Sequence, residues 1–472
     1  MRNTRKIIAA AVALLAVSSC VTQKAAVEST PVQQQQALNA DFQKDIKALY
    51  TAAFSHQDGY NWLHYICTEF GPRPSGSEAY NNAANWTAEY LKDLGADTVW
   101  LQPVEVPNWH RGKEYSTMIY GDTEVSLPTT ALGGSEPTPT EGIRAEVVEV
   151  SSFAELEELG EENIKGKIVF YNTYMKPGLI STFNAYGGAV KYRWAGAAEA
   201  AKYGAVATVL RSVTLLRDDL PHTGSMSYGD SEVKIPCAAI SYLAADKLAA
   251  ALEENSTVEL DLFLDCGIHG TAINHNIIAD FYGSTKPEEV MLVGGHFDSW
   301  DLGQGAQDDG AGCAHAVQVP ALFKRIGYEN KRTVRVVLWA NEEFGLGGAQ
   351  VYADWCRETG FHHWVAMESD AGGDVPRGFG IGGSDAQVAM VQEYSRYLKP
   401  YGLHSLTPGG GGPDLTPLRG HDTFFIGFRP ESQRYFDYHH SARDRIDAIH
   451  PRSLEMGAAS LAAMYYLLDH ES

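Results

Sequence analysis

Seven side chains in this sequence carry the donor types that bind a metal and move a proton. His296 and Asp298 sit in Gly294-Gly295-His296-Phe297-Asp298, and Asp308 opens Asp308-Asp309-Gly310. Glu342 and Glu343 are adjacent, Asp370 closes Glu368-Ser369-Asp370, and His440 ends Tyr438-His439-His440. Imidazole and carboxylate together suit zinc, and other transition metals accept the same donors. Carboxylates crowded into one crevice repel and raise one another's pKa, a penalty that divalent cations remove. A glutamate beside a ligand could accept a proton from a metal-held water. Taken singly, each fragment has an ordinary structural reading: a turn with a surface histidine, a solvated acidic face, a strand that ends in aspartate. The weight lies in the whole set and in where the chain places it.

Each fragment follows a stretch with strand or helix character. Val290–Val293 reads as a short buried strand before His296, Thr333–Ala340 as a Val-rich strand before the two glutamates, and Trp364–Met367 as a strand before Asp370. Asp309–Ile326, Gly345–Arg357, Ala386–Leu398 and Ser453–Leu468 read as helices, with a further strand at Phe424–Gly427. Strands alternating with helices predict an α/β fold, a mainly parallel mixed sheet sandwiched by helices. In such sheets the ligand crevice lies beyond the carboxyl ends of the strands. Residues far apart in sequence therefore converge there. Upstream, Asn82–Leu94 reads as a helix stopping at Gly95, feeding an edge strand over Thr98–Val106 that breaks at Pro107. Between Tyr120 and Cys266 the character shifts to short strands (Ala145–Val150, Lys167–Tyr171, Ala207–Leu210, Ala238–Ser241, Val258–Leu264) and alanine-rich helices (Ala197–Tyr203, Leu243–Leu252). No cluster with ligand-like spacing occurs in this part, which reads as an inserted smaller domain over residues 120–268. It divides a larger domain into 41–119 and 269–472.

The stretches GGHFDSWDLGQGAQDDGAG (Gly294–Gly312), VLWANEEFG (Val337–Gly345), MESDAG (Met367–Gly372) and YHHS (Tyr438–Ser441) resemble the zinc-dependent exopeptidases of peptidase family M28, and are closest to its carboxypeptidase Q subgroup. GPRPSGSEAYN (Gly71–Asn81) resembles the family's N-terminal signature. GKIVFYN (Gly166–Asn172) and AAEAAKYGA (Ala197–Ala205) resemble a protease-associated domain. The resemblance implies a zinc-exopeptidase fold holding two zinc ions. It implies Asp308 as the bridging carboxylate, His296 and Asp370 on one ion, Glu343 and His440 on the other, Glu342 as general base, and Asp298 orienting the His296 ring. It also implies a cis peptide at Asp308–Asp309 and, for the whole protein, a homodimer. Three ligand carboxylates plus an ionised Glu342 balance two divalent ions. A bridging water becomes acidic enough to supply hydroxide near neutral pH, Glu342 takes its proton and passes it to the leaving amine, and zinc stabilises the developing oxyanion. The substrates implied are short peptides. Dipeptidase, aminopeptidase and carboxypeptidase action all remain open. A catalytically inactive receptor or binding module of the same fold is the alternative; intact ligands and base argue against it, and against the single-zinc glutaminyl cyclases. The family often has Asp-Thr after its last histidine ligand, whereas Asp444-Arg445 stands here. His439 competes with His440 as ligand, and the motif favours His440.

Other features carry less. Gly409–Gly412 lacks the Lys-Ser/Thr of a phosphate loop and reads as a flexible loop at the rim, followed by Asp414. His315 reads as a packed or exposed helix residue, and His362 and His363 as surface residues. Trp300, Tyr435, Phe436 and Tyr438 flank the candidate ligands and could line a specificity pocket or the core. The chain has 59 acidic and 37 basic residues, a net charge of −22. That balance argues against nucleic-acid binding, which needs a basic face. Arg2, Arg5 and Lys6 precede apolar Ile7–Val17 and then Ser18-Ser19-Cys20, which reads as a signal peptide over residues 1–19 ending in a bacterial lipobox. Acylated Cys20 and a polar tether over 20–40 would then hold an exported lipoprotein in the cell envelope, periplasmic or anchored at the outer membrane, with that lipid its only membrane contact. Among Cys67, Cys237, Cys266, Cys313 and Cys356 no disulfide can be read.

Overall fold

A computed structural model describes residues 31–420 and 423–471, with side chains from Asp41 onward. The expected leader and Cys20 lie outside the described residues. The chain divides into two units, 1–42 and 43–472. Pro31–His56 is helical, so residues 31–40, expected as tether, take helical backbone; their Gln, Ala and Leu content favours it. No helix among the described residues is long and apolar enough to cross a membrane.

The strands are, in chain order, β1 (Thr98–Tyr120), β2 (Thr123–Leu127), β3 (Thr129–Ala131), β4 (Ile143–Val150), β5 (Ile168–Tyr171), β6 (Ala207–Arg211), β7 (Cys237–Ile240), β8 (Glu259–Phe281), β9 (Lys286–His296), β10 (Arg332–Trp339), β11 (Val365–Glu368), β12 (Pro376–Gly382), β13 (Ser405–Pro408) and β14 (Phe424–Pro430). They form one sheet in the order β13-β12-β14-β11-β9-β10-β8-β4-β5-β6-β7-β3, with β1 along β8 and β2 along β1. β10, β9, β11 and β14 are mutually parallel neighbours. Every residue of β10 is buried, as expected of a strand covered on both faces. Helices Ala311–Ile326 and Pro451–Leu468 cover one face of this region, and Gly347–Thr359 packs on the other through Trp339, Tyr352 and Ala353.

The second half of the sheet, β4 to β7, is also parallel. Helices Phe153–Ile164 and Thr182–Ala201 pack on one face and Tyr242–Glu254 on the other. The two halves are not joined by loops. β1 and β8 are each 23 residues long and pair from Thr98↔Asp280 to Ile119↔Glu259, crossing both expected boundaries of the insert.

Several sequence expectations are corrected. The strand expected to break at Pro107 continues to Tyr120, because a register shift between Pro107 and Trp109 accommodates the missing donor. Val258–Leu264 is only the start of β8. Ala197–Tyr203 is the end of the longer helix Thr182–Ala201, and Ala386–Leu398 splits into Asp385–Glu393 and Ser395–Leu398. Helix Phe153–Ile164, with its Ser152 cap, the edge strand β13 and its neighbour β12 were not anticipated. His363 is buried against the Tyr352 hydroxyl at 2.8 Å rather than at the surface. Gly409–Gly412 is packed rather than a flexible rim loop: Gly409 N–H donates to Ile381, and a Cβ on Gly412 would lie 2.2 Å from Glu368. The five described cysteines are all buried and free.

Candidate active site

The parallel strands aim the candidate residues at one place. His296 is the last residue of β9, Glu342 and Glu343 follow β10, and Asp370 follows β11. The loop after β9 carries Asp308 into helix Ala311–Ile326, and the chain beyond β14 brings back His439 and His440 through the turn Tyr435–Tyr438. That helix starts hard against the end of β11: a Cβ on Gly312 would lie 1.8 Å from the Ser369 carbonyl, so only glycine fits. The Asp308–Asp309 peptide is cis. Outside glycine, three of the four positive-φ residues among the described residues surround the site: Asn341 (φ 64°), Leu346 (φ 65°) and His440 (φ 61°). Non-glycine residues held there cost about 1 kcal/mol or more each and mark backbone fixed by its surroundings.

Asp308 stands at the centre, with its two oxygens facing different partners. Oδ1 lies 3.2 Å from His296 Nε2, which is also 3.7 Å from Asp370 Oδ1. Oδ2 lies 3.2 Å from His440 Nε2, which is also 3.1 Å from Glu343 Oε2. His440 and Asp308 Oδ2 do not meet hydrogen-bond geometry, and Oδ2 and Glu343 Oε1 receive no hydrogen bond at all. They aim at a shared point rather than at each other. Glu342 lines the same cavity with His296, Asp308, Glu343, Asp370 and His440. The structure thus brings together every residue expected at the site.

Asp298 acts mainly through the backbone. Its carboxylate accepts from the N–H of Glu342 (3.0 Å), the N–H of Glu343 (3.3 Å) and the Ser75 hydroxyl (3.1 Å), fixing the turn that presents both glutamates. The His296 ring is met at Nδ1 by the Asp298 carbonyl at 3.1 Å, with the carboxylate at 3.8 Å. The expected carboxylate–imidazole contact is therefore made by the main chain. His439, the competing ligand, stacks on His440 with ring centroids 3.5 Å apart, and its Nε2 is 3.7 Å from Asp308 Oδ2. Asp309 also neighbours His296 and Asp370, but its Oδ1 accepts from the Gly312 N–H at 3.0 Å.

The electrostatics are those of crowded buried charge. Burial opposes a proton on His296, but its bond to Asp308 and the charges of Glu342 and Asp370 outweigh this and raise its pKa well above normal. Burial and neighbouring carboxylates push Glu342 well up, and burial lifts Asp370 to about 6.

Three further side chains hold the site through contacts that the sequence does not specify. Trp300 donates its indole N–H to Glu343 Oε2 at 2.6 Å. Asp444 accepts from the N–H groups of Ala306 (2.9 Å), Gln307 (2.6 Å) and Asp308 (3.1 Å), holding the loop that presents Asp308. Arg193 reaches the site from the insert, its Nη1 3.2 Å from His440 Nδ1. Asp444, four residues after His440, and Trp300, four after His296, stand beside candidate ligands in the sequence, whereas Arg193 does not. The contacts of Trp300 and Arg193 are made across the fold.

A profile of peptidase family M28 matches residues 276–465. Carboxypeptidase Q of Xenopus laevis is 36% identical over 428 residues, spanning 91% of this chain and 89% of that one. Carboxypeptidase Q of Homo sapiens is 33% identical over 437 residues, 93% and 90% of the two chains. This chain belongs to peptidase family M28. A solved M28 peptidase precursor from Shewanella amazonensis superposes with a TM-score of 0.87 at 33% identity, covering 92% of this chain and 98% of that one. A zinc aminopeptidase from Bacillus subtilis shares the fold at a TM-score of 0.61 and 21% identity, covering 86% and 94%. As an M28 member the protein is a peptidase. Its donor set fits the metal chemistry of such an enzyme: imidazole and carboxylate groups gathered around Asp308, mostly buried, with Asp308 Oδ2 and Glu343 Oε1 left without hydrogen bonds.

Proposed function

We propose that the protein is a zinc-dependent exopeptidase that holds two ions across Asp308 and hydrolyses short peptides with Glu342 as general base. The observation that carries this reading is the split of Asp308, one oxygen toward His296 and Asp370, the other toward His440 and Glu343. Zinc bound there would acidify a water and polarise the scissile carbonyl.

The chain's own residues supply the rest. Asp298 locks the backbone of Glu342 and Glu343, so adjacent glutamates take different tasks: Glu343 is tied to Trp300, while Glu342 stays at the cavity wall. Glu342 accepts the proton of the attacking water at a carboxylate oxygen and returns it to the departing amine nitrogen as the C–N bond breaks. The retained ligands and base argue against the binding-module alternative. The carboxypeptidase Q relatives support action on short peptides.

The test is hydrolysis of unblocked and blocked dipeptides, aminoacyl anilides and longer peptides by the zinc-loaded protein, with and without chelator. Chelator-sensitive cleavage of unblocked short peptides is expected. Glu342→Gln should keep both ions by elemental analysis while kcat falls at least about a hundredfold. Full activity in that variant removes Glu342 from the proton-transfer role.

A further inference from the structure

Three buried arginines pair directly with carboxylates: Arg211 donates to Asp246, Arg332 to Glu289, and Arg335 to Asp280 at both oxygens. Arg73 is different. It is fully buried in the stretch Gly71-Pro72-Arg73-Pro74, and its four side-chain hydrogen bonds all go to main-chain carbonyls. Nε donates to Phe297 at 2.8 Å, Nη1 to Gly71 at 3.2 Å and to Gln304 at 2.8 Å, and Nη2 to Gly305 at 2.9 Å. Three of those carbonyls belong to the loop between His296 and Asp308, Phe297 at its first position and Gln304 and Gly305 near its last. The backbone of Arg73 holds the middle of the loop. Its N–H donates to the Ser299 hydroxyl at 3.0 Å, and its carbonyl accepts the Ser299 N–H at 3.1 Å.

The close approach needs glycine. Gly305 sits at φ 61°, and a Cβ there would lie 2.2 Å from Ser299 Cβ and 2.9 Å from Arg73 Nη2. The opposite charge stands on the other side of the same loop, where the Asp444 carboxylate accepts from the N–H groups of Ala306, Gln307 and Asp308. The Gly305 carbonyl and the Ala306 N–H belong to one trans peptide group and so point in opposite directions. That amide is therefore held between a guanidinium at its oxygen and a carboxylate at its hydrogen. Charge-assisted bonds are about twice as strong as neutral ones, and bonds in series polarise one another. Arg73 and Asp444 thus oppose each other through the chain rather than across a gap.

We propose that Arg73 and Asp444 are a coupled pair of positioning residues that fix the span from His296 to Asp308, so that the bridging carboxylate is set before any ion arrives. This rests on the two-ion reading above. Neither side chain stands among the candidate ligands. The carboxylates of the site repel one another when no cation is held there, and Asp308 is carried on a loop rather than on a strand. Without the clamp that repulsion would swing Asp308 away from Asp370 and Glu343. Arg73 ties down the carbonyls upstream of Asp308, and Asp444 ties down the N–H groups that lead into it. A loop held from one side only can turn about that side, so the effect of each residue depends on the presence of the other. A lysine at position 73 keeps the charge but lacks the planar fork that reaches carbonyls at both ends of the loop.

The experiment follows amide hydrogen exchange and zinc binding in the full chain. In the zinc-free protein, the segment carrying the amides of Ala306, Gln307 and Asp308 should exchange about ten- to a hundredfold faster in Arg73→Gln and in Asp444→Asn than in the wild type. The zinc Kd, read by chelator competition, should rise about ten- to a hundredfold in each. Arg73→Lys should fall between Arg73→Gln and the wild type, and the double variant should cost little more than either single one. Arg332→Gln removes an equally buried arginine at the far end of β10; it should lower the melting temperature yet leave exchange in that segment and the zinc Kd unchanged. Wild-type exchange and Kd in Arg73→Gln overturn the proposal, as do single effects that multiply in the double variant. Should Arg73→Gln fail to fold, Arg73→Lys combined with Asp444→Asn gives the same cycle. A wild type that binds no zinc would instead sink the two-ion reading, and exchange in the zinc-free protein would still decide the role of the clamp.

Discussion

Trp300 shows how a single side chain tunes a ligand it does not replace. Its indole N–H occupies one lone pair of Glu343 Oε2, the oxygen that lies 3.1 Å from His440 Nε2, and fixes the carboxylate's rotation. Groups behind a ligand commonly contribute ten- to a hundredfold to metal affinity. Trp300→Phe should keep the ring packing against Phe344 and raise the zinc Kd by about that factor, read by competition against a chromophoric chelator. An unchanged Kd would mean that the bond is incidental. At this scale the sequence was most legible where chemistry is local. His296, Glu342, Glu343 and Asp370 each sit within two or three residues of a strand end, so finding the strands found the ligands. Asp308 and His440 lie on loops and needed the motif resemblance to be read. Trp300 reads only as a flanking aromatic and Arg193 not at all, because their partners lie 43 and 247 residues away.

Among the elements, an early helix of the catalytic part is tied to the last. Glu455, in helix Pro451–Leu468, is fully buried and accepts the Tyr60 N–H at 2.8 Å, near the start of helix Asp58–Tyr65. Burial lifts its pKa from 4.5 to about 7, against the Tyr60 and Gly59 N–H groups that favour the ion. The native state therefore holds this proton more tightly than the unfolded chain. Its contribution is complete below about pH 4.5, shrinks as the unfolded chain ionises, and is lost by about pH 7. The change amounts to about 3 kcal/mol. Urea unfolding between pH 4.5 and 7.5 should show that decline in the wild type, and Glu455→Gln should remove most of it; parallel curves would exclude Glu455 as the source. Element type was legible wherever apolar periodicity was strong, as in β10 and helix Pro451–Leu468. Lengths failed where tertiary pairing overrode a local stop signal. Pro107 reads as a terminus, yet the partner β8 carries β1 past it through a shift of register.

For the molecule as a whole, the expected insert is less separate than its sequence boundaries imply. The core beneath β4 to β7 includes Trp109, from β1, and Trp300, from the loop that carries the metal candidates, with Phe344 packed beside them. Trp300 thus touches Glu343 on one side and the insert's core on the other. Residues 43–472 should accordingly unfold in one calorimetric transition rather than two, with calorimetric and van't Hoff enthalpies agreeing. Two resolved peaks would show that the insert is an independent folding unit. The shift in composition near residues 120 and 268 was legible. The two strands running through it were not, because alternation of side chains says nothing about how far a partner strand extends.

β1 and β8 also set an order of events during synthesis. The N-terminal strand of the pair emerges from the ribosome well before its mate, with the whole of residues 121–258 between them. It must wait unpaired while the intervening helices and strands are made. The last of the candidate ligands arrives later still, at position 440. A nascent chain shorter than that lacks His440, and with it one side of the donor set that gathers around Asp308.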